Sequence, residues 1–137
     1  MDLNPGLPFL CSMTADEAAH RVIGCCIKIH KEIGPGLLES AYEACLYYEM
    51  TTTGLSVQRQ KPIPLVYEEV RMDCGFRADF LVEDKLVVEI KAVDALHPVH
   101  FMQTLTYLKL TNCKVGLLVN FNVARLKDGI KRFVNNY

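Results

Sequence analysis

The chain has 137 residues, half of them hydrophobic and 23% charged, which suits one folded domain with its own core and excludes a disordered chain. A net charge of −1 excludes a protein that holds a polyanion by bulk charge alone, and no apolar run approaches the ~20 residues of a membrane-crossing helix. The six cysteines, at 11, 25, 26, 45, 74 and 113, show neither C-x-x-C nor a zinc-type spacing with histidine, so reduced and mostly buried thiols are expected.

Residues 1–13 read as a poorly ordered lead-in, with an apolar patch at 7–11 too short for a signal peptide; a cytoplasmic location is the expectation. A single domain over 14–137 follows. Thr14 to Glu17 fits a capping box and predicts a helix over 15–33, its stripe formed by Ala19, Val22, Ile23, Cys26 and Ile29. His20 and His30 read as surface positions on it. Gly34-Pro35-Gly36 ends that helix. A second is expected over 37–53, with Leu38, Ala41, Cys45 and Leu46 inward and Gly54 as its C-cap. Strands are predicted over 56–60 and 63–67, bent or edge-like because of Pro62 and Pro64. A turn at Glu68-Glu69 and a returning strand over 71–74 follow. A hairpin spans 76–93. Pro98 opens a helix reaching 111, with His97 and His100 as helix-start residues and Phe101, Leu105 and Leu108 toward the core. Residues 114–120 form a continuous apolar run, as in a strand covered on both faces. A basic amphipathic helix is expected over 124–135. This order implies an α/β sandwich with a mixed central sheet flanked by helices.

The hairpin carries the chemistry. Alternation puts Arg77 and Asp79 on one face of the first strand, and Glu89 and Lys91 on one face of the second. A turn centred on Asp84 sets Asp79 across from Glu89. Facing carboxylates repel, and a divalent cation together with the Lys91 ammonium would offset that cost. Asp79 and Glu89, with the Ile90 carbonyl, are therefore candidate ligands for Mg²⁺ or Mn²⁺. Lys91 would orient a water or neutralise charge on a reacting phosphate. The bland alternative is an exposed salt bridge of little energetic weight.

With Asp79 and Glu89-x-Lys91 in place, the chain resembles the PD-(D/E)XK nuclease superfamily. More narrowly, Gly36-Leu37-Leu38-Glu39-Ser40-Ala41-Tyr42 is similar to the naming motif of its small GxxExxY family. Gln103 to Lys109 is similar to a Q-x-x-x-Y element of RecB-like exonucleases, and the stretch at 116–122 adds to the likeness. Ala78 stands where the superfamily's name has proline. The resemblance implies a restriction-endonuclease-like core, with Glu39, Asp79, Glu89 and Lys91 in one pocket and Gln103 in support.

Tyr42, three residues beyond Glu39, is a candidate to hydrogen-bond a pocket carboxylate. Gln103 and Tyr107 share a helix face and could reach Lys91, a phosphate or a base. Arg77 could pair with Asp79 or touch phosphate. From residue 97 onward there are six basic residues and one acid, so Lys109, Lys127, Lys131 and Arg132 form a candidate phosphate-binding flank. Metal-dependent hydrolysis of DNA phosphodiesters, exonuclease-like or end-processing, is the leading expectation. DNA is favoured over RNA as partner, and no membrane is expected. A non-catalytic nucleic-acid-binding module, or a homodimeric regulatory protein with this fold, is the alternative.

Overall fold

The computed structural model describes residues 13–135; the region at 1–12, expected as a lead-in, lies outside them. Helix α1, Ala15–Ile33, begins at the expected capping box: the Thr14 hydroxyl accepts from the Glu17 N–H while the Glu17 carboxylate accepts from the Thr14 N–H. Two unpaired amides of the first turn are thereby satisfied. Its buried stripe includes Ala19, Val22, Cys26 and Ile29. His30 is not a plain surface position: its Nε2 lies 2.8 Å from the Val123 carbonyl. Helix α2, Glu39–Thr52, buries Tyr42, Leu46 and Met50, one residue every four, rather than the Leu38 and Ala41 face. Leu38 is 77% exposed. The larger Tyr42 takes the core position because its ring stacks on Phe121 at 4.5 Å and its hydroxyl is satisfied within the preceding loop.

The strands are β1 (Val57–Pro62), β2 (Leu65–Tyr67), β3 (Val70–Met72), β4 (Arg77–Val82), β5 (Leu86–Lys91), β6 (Val115–Asn120) and β7 (Ile130–Val134). Helix α3, Pro98–Thr111, connects β5 to β6. Five strands form one sheet in the order β1-β4-β5-β6-β7, with β5 and β6 parallel and the other neighbours antiparallel. A crossover helix is what a parallel pair requires. β2 and β3 make a separate hairpin whose tip, Glu68-Glu69, has both residues at positive φ, as a tight two-residue turn demands. β1 is the edge strand that Pro62 predicts. α1 and α2 pack on a cluster that includes Phe80, Val88, Leu117 and Val119. Tyr107 and Leu108 of α3 belong to a second cluster with Leu81 and Val87. This is the mixed α/β architecture expected, with a restriction-endonuclease-like core. Among the described residues no helix is long and apolar enough to cross a membrane. Cys25, Cys26, Cys45, Cys74 and Cys113 are free thiols, and Cys25, Cys26 and Cys113 are buried.

The expected C-terminal helix does not form. Residues Leu126–Gly129 make one 3₁₀ turn, and Ile130–Val134 enter the sheet as β7. The apolar spacing of Leu126, Ile130 and Phe133 imitates a helix, but β6 offers an open edge that β7 closes. Gly129 is the decisive residue: a Cβ there would sit 2.2 Å from the Asn120 carbonyl oxygen. Gly129→Ala should therefore cost about 3 kcal/mol by overpacking and lower the melting temperature by roughly 10 °C. Calorimetry reads this directly, and an unchanged transition would refute the close approach.

Asn120, 2% exposed, is a buried polar residue that makes three side-chain hydrogen bonds. Its Oδ1 accepts from Val93 and Asn122 N–H groups and its Nδ2 donates to the Val93 carbonyl. The chain leaving β5 is thus tied to the end of β6, and the direction of approach to α3 is fixed.

Candidate active site

Asp79 and Glu89 meet as alternation predicts. The ladder between β4 and β5 pairs Phe80 with Val88, Leu81 with Val87 and Val82 with Leu86, so the next position sets Asp79 against Glu89. There the two carboxylates take up backbone donors themselves. The Asp79 N–H donates to Glu89 Oε2 at 2.7 Å, and the Ile90 N–H donates to Asp79 Oδ2 at 2.9 Å. Glu89 is only 3% exposed, which rules out an exposed salt bridge. Burial first, and the charge of Asp79 second, push its carboxyl up to about 8. Asp79 is raised mainly by burial, against the opposing Ile90 and Gln60 hydrogen bonds.

Glu39 arrives from the first turn of α2. Gly34 (φ 77°) and Gly36 (φ 105°) adopt backbone open chiefly to glycine, and they turn the chain out of α1. The Tyr42 hydroxyl then donates to the Gly34 carbonyl at 2.6 Å and accepts from the Leu37 N–H at 3.2 Å. That stapled turn delivers Glu39 toward the acids. Its carboxyl is raised by burial and then by Asp79, and lowered by Lys91. Tyr42 is thus a buried fastener of the loop, not a pocket donor: both of its hydrogen-bonding roles are already used.

Lys91 is half-buried, and its charge stabilises the ionised forms of Glu39, Asp79 and Glu89. It forms no direct ion pair among the described residues. His100, in the first turn of α3, is lowered by burial, then by the charge of Lys91 and by His97.

On α3, Gln103 Nε2 donates to the Tyr107 hydroxyl at 3.2 Å. Tyr107 is 5% exposed, and burial, then Glu89, raises its hydroxyl. It therefore faces the acids from within the second cluster and has no open ring face for a base. Arg77 is exposed at the start of β4 and does not pair with Asp79 among the described residues.

The basic flank is dispersed. Lys109 is exposed near the far end of α3, roughly 14 Å beyond His100 at 1.5 Å per residue. Arg132 is paired with Asp16 of α1. Arg132 is not brought to the acids because the expected basic helix is a strand whose residues alternate between faces. Lys131, in register with Leu118, which in turn pairs with Glu89, lies on the acid-bearing face about 10 Å away across two strand spacings. Lys127 is exposed in the connection between β6 and β7.

Two neighbours escape sequence reasoning. Gln60 donates to Asp79 Oδ1 at 3.2 Å and to Glu43 Oε1 at 3.1 Å. Glu43 follows Glu39 by four residues, so a shared helix face was a usable signal. For Gln60 no local signal exists.

A hard divalent cation suits this donor set, which is all oxygen and carries more negative than positive charge. Among the described residues no three His, Cys, Asp or Glu side chains converge closely enough to surround an ion. Carbonyl, water and substrate oxygens would have to complete the shell, as is usual for Mg²⁺.

An acid on one strand of a hairpin, acid-x-lysine on the other and a glutamate from the preceding helix, on a mixed sheet, define a restriction-endonuclease-like nuclease core. Sequence comparison agrees: the family model of the PD-(D/E)XK nuclease superfamily matches residues 16–133, and the chain belongs to that superfamily. Its members are generally nucleases, which implies a nucleic-acid substrate. No curated protein and no solved structure matches the chain.

Proposed function

We propose that this protein is a metal-dependent nuclease of the GxxExxY kind that hydrolyses DNA phosphodiesters, working from or near ends. The observation that carries the reading is the buried Asp79–Glu89 pair with the Lys91 ammonium, which has no direct ion pair among the described residues, acting on both acids. Asp79 and Glu89, with the Ile90 carbonyl, would hold Mg²⁺ or Mn²⁺, and Glu39 would close the site directly or through water. Such an ion polarises a phosphate and lowers the pKa of a nearby water. Lys91 steadies the charge that gathers on the phosphate oxygens during attack. Gln103 keeps Tyr107 in place over the acids. Arg77 and Lys131 are the cations available to neighbouring phosphates, with Lys127 farther along the same flank.

Calorimetric titration with Mn²⁺ tests the ligand assignment. The wild type should bind and Asp79→Ala should lose measurable binding; equal binding would remove Asp79 from the site. Incubation with linear, circular and single-stranded DNA, and with RNA, in Mg²⁺, Mn²⁺ or chelator tests the activity. Metal-dependent loss of linear substrate supports the proposal. Binding without cleavage in any metal would leave a non-catalytic nucleic-acid-binding module. A light-scattering mass separates monomer from the dimeric regulatory alternative.

A further inference from the structure

One residue beside the acids has a backbone unlike that of its strand. Gln60 lies between the register pairs Arg59↔Phe80 and Lys61↔Ala78, and so stands opposite Asp79. An extended strand residue has φ near −140°, yet Gln60 has φ 51°, a region unfavourable to any residue with a Cβ. The pairing on either side continues without an inserted residue, so the sheet itself does not call for this conformation. What the conformation achieves is an aim. The two hydrogens of one amide nitrogen reach carboxylates on two different elements, Glu43 of α2 and Asp79 of β4. Glu43 is held from its other side by Arg59 at 2.9 Å, whose guanidinium lies 5.1 Å above the Tyr47 ring.

We infer that Gln60 is a positioning residue for the metal site: its amide fixes the Asp79 carboxylate with Oδ2 on the Ile90 N–H and keeps Glu43 apart from it. A neutral donor suits the task. A lysine at this position would compete with the cation for Asp79, and a glutamate would repel both acids. The inference rests on Asp79 being a metal ligand.

Gln60→Gly relieves the backbone and removes the amide; Gln60→Met keeps the length and removes only the donor. Each should weaken Mn²⁺ binding about tenfold or more, the usual effect of losing a partner behind a ligand. The glycine variant should melt at or above the wild-type temperature. Arg59→Ala, which releases Glu43 without touching Asp79, should stay within about threefold of wild type. If wild type binds Mn²⁺, Asp79→Ala does not, and both Gln60 variants bind within twofold of wild type, this inference is overturned and the ligand assignment stands. If wild type binds no Mn²⁺, the assignment falls and the inference with it.

Discussion

Lys91→Ala is expected to lower metal-dependent cleavage of linear DNA about 100- to 1000-fold, the range seen when one charge-stabilising group is removed from a preorganised site. The loss should fall on kcat with little change in KM for the polymer, because Lys91 acts where charge develops and most binding to DNA is made elsewhere. A second effect runs the same way. Lys91 lowers the carboxyl pKa values of Glu39, Asp79 and Glu89, so its removal also leaves the acids harder to ionise for a cation. Lys91→Met preserves the stem that is half-buried beside the sheet and separates charge from packing. Cleavage by either variant at the wild-type rate would eliminate the catalytic role.

In metal-free protein, stability should fall as the pH rises from about 5 to about 8. The sign follows from Glu89. Unfolded, it titrates near 4.5; folded, burial and Asp79 hold it at about 8. Between those values the native state binds more protons than the unfolded chain, so stability is greatest below the lower value and is lost through the upper one. Asp79 and Glu39 are raised as well, and they act in the same direction as a coupled set. The upper bound from Glu89 alone is roughly 5 kcal/mol. Glu89→Gln, whose amide oxygen can still accept from the Asp79 N–H, should flatten the profile and be more stable than wild type at pH 8. Denaturant titrations from pH 5 to 8 with a chelator present read the slope. Added Mn²⁺ should restore wild-type stability at pH 8 by binding the native state and should do little for Glu89→Gln. A wild-type profile as flat as the variant's would contradict a buried, mutually repelling pair.

The facing of Asp79 and Glu89 is legible in the sequence because everything that sets it is local: a period of two, a polar turn and short range. The same holds for the capping box at Thr14 and the glycines at 34 and 36. The last element fails for the opposite reason. Whether residues 130–134 coil or extend depends on the open edge of β6 and on the closeness of Gly129 to the Asn120 carbonyl, and neither is local. The inward face of α2 is legible only in part: Leu46 is buried as expected and Cys45 packs against the core, but Leu38 is exposed and Tyr42 is buried instead, because Gly34 and Leu37 satisfy its hydroxyl. Gln60 is invisible from the chain alone: its part depends on which strand lies beside β4 and on a backbone angle no residue type advertises.

The turn at Glu83-Asp84 lies midway between the two acids, and both its residues are at positive φ. Length can therefore vary only unevenly along this chain. Adding or deleting one residue within 80–82 or 86–88, inside the strands, would send one acid to the opposite face of its strand, and no rotamer change could bring it back. The Glu68-Glu69 tip of the smaller hairpin is free of that constraint, so natural length variants and engineered tags belong there.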